Sequence, residues 1–321
     1  MAKLLIADAA DDHQFWPNFQ PMKAFHRACA LVVTLLLITG SIFAADSSII
    51  APGAKPEKLG EGFSFTEGPA VDREGNVFFT DQPDRIVKWS AEDGKLSVWL
   101  TPSGRAVGTY FDKAGNLLAT AVEKGELWSI APDKKVTVLA TNFEGKQFNT
   151  PNDLWISPDG GVYFTDPYFY MPEAIRDPNA RMVGQHVYFL APDHKTVTRV
   201  TTDLFAPNGI IGTPDGKVLY VGDLGGQTTW AYDIRPNGEL TNKRLFYDRG
   251  SDGMTIDVEG NVYLTGNGVT VLDKTGKKIE QIDLPAGNAS NVTFGGKDRD
   301  LLFITAGGSV YGLKMRVKGA R

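Results

Sequence analysis

The chain reads as an all-β protein, a six-bladed β-propeller with four antiparallel strands per blade. Three observations predict it. First, a turn built on Asp/Pro-x-x-Gly, followed by an apolar run ending near Thr, occurs six times. The copies are DREGNVFFTD (72–81), DKAGNLLATA (112–121), SPDGGVYFTD (157–166), TPDGKVLYVG (213–222), DVEGNVYLTG (257–266) and, more loosely, GKDRDLLFITA (296–306). Second, the turn glycines Gly75, Gly115, Gly160, Gly216 and Gly260 are spaced by 40, 45, 56 and 44 residues, with the sixth turn about 40 further on. A period of 40–50 with several short strands per unit is the signature of a propeller. Third, the runs between turns lack helical periodicity, whereas a barrel or doubly wound fold needs helices between its strands.

Each repeat resolves into strands. In the first, 68–71 is the innermost strand, 72–76 the turn and 77–80 the second strand. Residues 86–90 form the third strand, and 96–100 the fourth, after the turn Glu92-Asp93-Gly94-Lys95. Six repeats over 57–321 allow about 44 residues each, enough for four strands. The last strand is expected over 310–317. Residues 57–60 are expected to complete the last blade, which would remove two exposed sheet edges.

The first 46 residues differ from the rest. A basic stretch (22–27, MKAFHR) precedes the apolar run ALVVTLLLITGSIFAA (30–45), with Ala44 at a small-residue cleavage position. This layout predicts a signal peptide over 1–44, a linker over 45–56 and a propeller domain over 57–321. The protein is then exported, periplasmic or secreted. An uncleaved N-terminal membrane anchor is the alternative, although the run is shorter than the ~20 residues of a comfortable span. Asp8, Asp11 and Asp12 sit oddly upstream of a signal, and Met22 is a candidate true start. Cleavage would remove the only cysteine, Cys29, together with three basic and three acidic residues. The net charge of −5 would be unchanged. That acidic balance excludes a nucleic-acid partner. No membrane partner beyond the signal segment is expected. The 35 glycines fit a chain rich in tight turns.

Functional candidates emerge by counting eight residues back from each turn glycine. The positions are Glu67, Val107, Asn152, Asn208 and Asp252. The sixth repeat reads as carrying a one-residue insertion, so its equivalent is Asn291 or Val292. The innermost strands of a propeller line its channel, so these positions converge on the axis. Carboxylate and amide oxygens from Glu67, Asn152, Asn208 and Asp252 would form a hard-cation site of the Ca²⁺ type. The absence of His and Cys disfavours zinc or copper. Taken singly, Asn or Asp at a strand entry more often just caps a turn; four in one register point to a site.

The 56-residue spacing holds an insertion, DPYFYMPEAIRDPNARMVGQ (166–185), between second and third strands of its blade. It should overhang the proposed cation. Tyr168, Phe169, Tyr170 and Arg176 form a pocket wall or lid, or alternatively pack as a surface loop on the blade. His186, in the apolar strand HVYFL, reads as structural, and His194, in the turn APDHK, as solvated. No GxSxG, P-loop or HExxH motif is present. Gly225-Gly226 is a turn with no helix behind it.

The segments FTEGPAVD (65–72), FEGKQFNTPNDLWISPDGGVYFTDP (143–167), APNGI (206–210), SDGMTID (251–257) and NVTFGG (291–296) resemble the gluconolactonase, regucalcin and senescence-marker-protein family of six-bladed propeller hydrolases. The resemblance covers the whole chain past the signal segment. It implies a divalent cation, most often Ca²⁺, in the channel and a small-molecule lactone such as gluconolactone as substrate. By motif, Glu67, Asn208 and Asp252 match metal ligands. Asn152 matches a ligand or substrate contact, and Asp252 the catalytic general base. Asn152, Asp153, Tyr168, Phe169 and Arg176 are the substrate-binding candidates. Two departures stand out: Ala106-Val107-Gly108 replaces an Asn-Gly pair common in bacterial members, and TAVEKG, with Glu123, stands where many have a His. Two rival functions are a phosphotriesterase-like hydrolase on the same site and a non-catalytic ligand-binding propeller.

Overall fold

A computed structural model describes residues 47–169 and 183–320. Residues 1–44, with the expected signal and the start at Met22, lie outside them, as do Tyr170 and Arg176. Among the described residues there is no helix. Six four-stranded antiparallel sheets stand in sequence order, the blades of a propeller. Strands are lettered A to D from axis to rim.

The A strands are Thr66–Val71, Ala106–Phe111, Leu154–Ile156, Pro207–Gly212, Met254–Ile256 and Asn291–Gly295. The B strands are Val77–Asp81, Leu117–Ala121, Val162–Asp166, Val218–Asp223, Val262–Gly266 and Leu301–Ala306. A B strand is covered by neighbouring blades on both faces, so it reads as a nearly unbroken apolar run. All five residues of Val77–Asp81, Leu117–Ala121 and Val162–Asp166 are buried. Aromatic rings join one blade to the next. Phe78 meets Phe111 edge-on at 5.1 Å between blades one and two, and Phe79 lies 5.6 Å from Phe303 between blades one and six.

Each A–B turn closes by the chemistry its sequence carries. In blade one, Asp72 Oδ1 accepts from Asn76 N at 2.8 Å, and Gly75 takes a left-handed φ of 89°. Asp112 and Asp257 repeat the side-chain bond, to Asn116 N and Asn261 N. The sixth turn has the same length. Arg299, at φ 59°, occupies the glycine position, and Arg299 N donates to Gly296 O as Gly75 N does to Asp72 O. The expected extra residue lies in the strand before the turn. Asn291 N donates to Thr305 Oγ1 as Asp153 N does to Thr165 Oγ1, and Ser290 N donates to Thr305 O as Asn152 N does to Thr165 O. Ser290, nine residues before Arg299, therefore holds the axial position expected at Asn291 or Val292, and Asn291 is the partner of Asp153 in register.

The ring closes through the chain's two ends. Glu57–Glu61 is strand D of the sixth blade and pairs with its strand C, Ser309–Lys314. The strand expected over 310–317 therefore ends three residues earlier. Upstream, Ile49 is buried against this blade, and Arg316 N donates to Ile49 O at 2.8 Å. One further ribbon, Asn142–Phe143 with Lys146–Gln147, precedes strand A of blade three.

Candidate functional site

Three devices hold the axial residues. The first is a bulge. In blade one the register runs Thr66↔Asp81 and Glu67↔Thr80, then slips before Ala70↔Phe78, and equivalent slips occur after Ala106 and Pro207. Bulges re-aim side chains, here at the top of the channel. The second is close approach: a Cβ on Gly68 would overlap Val107 O, and one on Gly253 the Asn291 side chain. The third is the threonine that ends the apolar run. Thr80 Oγ1 donates to Val107 O at 3.0 Å, Thr120 Oγ1 to Asn152 O at 2.7 Å and Thr265 Oγ1 to Ser290 O at 2.8 Å, each across a blade boundary. The loops ahead of strand A are held by the last B-strand carboxylates. Asp81 accepts from Ser64 N at 2.8 Å, Asp166 from Asn149 N at 2.9 Å and Asp223 from Ala206 N at 2.7 Å.

These devices bring Glu67, Asp153, Asn208, Asp252 and Asn291 into one electrostatic cluster. Glu67 Oε2 accepts from Gly68 N at 2.9 Å and from Asn291 Nδ2 at 3.3 Å. Asp153 accepts from Leu154 N at 2.9 Å, and from Ile210 N and the Asn291 side chain. Asn208 hydrogen-bonds the Asp252 carboxylate. Burial, and next the Asp252 charge, hold the Glu67 carboxyl well above the ordinary range. Burial pushes Asp153 up to about 7 and Asp252 up to about 6. Three acids thus share a poorly solvated volume, each disfavouring its neighbours' ionisation. Just along the axis is a cavity of about 30 Å³, lined in part by Gly68, Asp153, Ile210, Met254 and Asn291.

The donor set suits a hard divalent cation. Asn208 is 2 % exposed, and its Oδ1 is buried without a hydrogen-bond partner. A buried orphan acceptor is rare enough to require a reason, and oxygen donors with at least two carboxylates are what Ca²⁺ takes. Among the described residues no three His, Cys, Asp or Glu side chains group into a metal cluster, so the set depends on its carboxamides.

Asn152 stands at the blade-three position, half-buried, with its backbone N donating to Thr165 O at 2.9 Å. Tyr168 and Phe169 are exposed on the loop after strand B of that blade, where Phe169 N donates to Thr150 Oγ1 at 3.1 Å. The loop leaves at the end where Asn152 lies, as the antiparallel pairing requires. Val107 is the apolar member of the ring. His186 is buried in its strand, its Nε2 within 3.0 Å of Val183 O. Asn291 was absent from the predicted site; it stands in register with Asp153, its Oδ1 accepting from Val292 N as Asp153 Oδ1 accepts from Leu154 N, and that register is the signal that could have found it.

Fold and site together define a six-bladed propeller whose axis carries clustered carboxylates and carboxamides. Residues 65–308 match the SMP-30/Gluconolactonase/LRE-like region, and the chain belongs to that family. A gluconolactonase of Zymomonas mobilis is 29 % identical over 294 residues, 82 % of each chain. Regucalcin of Bos taurus is 31 % identical over 74 % of this chain and 82 % of its own. The solved structure of a gluconolactonase from Xanthomonas campestris is similar at a TM-score of 0.74 and 29 % identity, covering 83 % of this chain and 91 % of that one.

Proposed function

We propose that the protein is a divalent-cation-dependent lactonase, with Ca²⁺ the first cation to test. One observation carries the reading: the unpartnered, buried Asn208 Oδ1 beside the Glu67 and Asp252 carboxylates, both raised by burial. Glu67, Asn152, Asn208 and Asp252 would hold the cation. When bound, it supplies Lewis-acid polarisation of the lactone carbonyl and stabilisation of the oxyanion. Asp252 accepts a proton from the attacking water as the C–O bond to the carbonyl carbon forms. The ring C–O bond then breaks, and its oxygen leaves as an alcohol after taking up a proton. Asn152 and Asp153 orient the substrate from blade three, while Tyr168 and Phe169 contact its outer part. The names of the relatives make gluconolactone the first substrate to assay. A pH-stat assay on the purified protein with and without EDTA tests the reading: turnover that EDTA abolishes and Ca²⁺ restores is expected. Turnover unaffected by EDTA would refute the metal role.

A further inference from the structure

The exposed aromatic side chains among the described residues are Phe65, Tyr168, Phe169 and Phe205. All four lie on the face where the A strands begin. Phe65 precedes Glu67 by two residues and Phe205 precedes Asn208 by three, on blades one and four, which face each other across the axis. Exposure runs from 39 % at Phe169 to 70 % at Phe205. Scattered exposed apolar residues need no explanation, but rings gathered on one face around a channel mouth do.

Among the described residues, four polar side chains beside these rings are committed to the loops. Gln185 Oε1 accepts from Tyr168 N at 2.6 Å, and its Nε2 donates to Phe205 O. Asp223 accepts from Phe205 N at 3.0 Å and from Ala206 N at 2.7 Å. Asp81 accepts from Ser64 N, Phe65 N and Arg85 Nε. Thr150 Oγ1 accepts from Phe169 N and donates to Pro167 O at 2.7 Å. A polyol needs free donors and acceptors beside a ring. Here the loops present ring faces and edges, and the axial ring below adds Val107 in a position that is polar in the other five blades.

We infer that these rings form a collar for an apolar substituent, so that the substrate is a lactone carrying a hydrocarbon arm rather than a bare polyol lactone. The inference rests on the lactonase reading above. Its test is a series from δ-valerolactone through δ-hexanolactone and δ-octanolactone to δ-decanolactone, with gluconolactone alongside. kcat/KM should rise about two- to fourfold per added methylene, the range from half to full burial of the arm. Phe205→Ser and, separately, Phe169→Ser should each lower the ratio of kcat/KM between δ-decanolactone and δ-valerolactone severalfold. Circular dichroism should show both variants folded, since both rings are exposed. A flat series, gluconolactone preferred over δ-decanolactone, or wild-type ratios in both variants would overturn the collar, leaving it to another occupant, while the lactonase reading stood. No turnover of any member would overturn both.

Discussion

The hydroxyl of Thr120, on blade two, donates to the main-chain oxygen of Asn152, on blade three, at 2.7 Å. The same oxygen of Thr120 accepts from Gly108 N at 2.9 Å. One buried side chain therefore ties two adjacent axial positions. Thr120→Val keeps the shape and removes both bonds, while Gly108 N keeps its 2.7 Å bond to Asn152 O. A loss of about 1–3 kcal/mol in stability is expected, together with a fall in kcat/KM as Asn152 shifts. Urea unfolding and lactone kinetics on one preparation check this; an unchanged midpoint would show that the seam does not depend on the hydroxyl.

Asp252→Asn retains an oxygen donor but removes the proton acceptor. Turnover should fall by at least ~10²-fold, measured by pH-stat at saturating Ca²⁺. Wild-type rates would take the general-base role away from Asp252.

Glu67→Gln should separate binding from stability. Cation affinity should fall about tenfold or more, because the site loses ligand charge. The metal-free protein should gain thermal stability at pH 8, because a buried charge beside Asp252 is gone. Calorimetric titration with Ca²⁺ and melting in EDTA read the two effects separately. Loss of stability in EDTA would mean that Glu67 is held by more than its present contacts.

The pH dependence of the metal-free protein follows from the same cluster. Glu67 is raised, Asp252 to about 6 and Asp153 to about 7, above their unfolded values near 4. Between these limits the folded state binds more protons than the unfolded chain. Stability from these groups is complete below about pH 4 and is lost as pH rises through 6 to 7. Melting temperature in EDTA should therefore drop from pH 5 to pH 8, and Ca²⁺ at pH 8 should restore it. A pH-independent melt in EDTA would contradict the burial of these charges.

Gly68→Ala should destabilise by several kcal/mol. The residue has φ 40°, and its Cβ would overlap the Val107 carbonyl of the next blade. Backbone cannot step aside as a flexible side chain can. Scanning calorimetry on the variant measures the loss.

Much of this was legible in the sequence because it rests on local rules. Positive-φ glycines such as Gly75 and Gly115 and the apolar B strands specify a blade, and their spacing fixes the axial positions Glu67, Asn208 and Asp252. The sixth position was misjudged for a physical reason: Arg299 adopts the left-handed conformation usually given to glycine, which hides the counting mark, and one extra residue separates it from the axial Ser290. Thr80, Thr120 and Thr265 were visible as the ends of apolar runs, yet their partners lie on the next blade. No single repeat reveals that contact. The ribbon before blade three went unread because its strands are two residues long.

Closure by Glu57–Glu61 has a consequence for biogenesis. The outer strand of the sixth blade is made first and its partner, Ser309–Lys314, last. A ribosome-bound chain can stack blades one to five, but it carries an open seam with bare sheet edges until Ser309–Lys314 has emerged. Such a topology of distant contacts folds slowly.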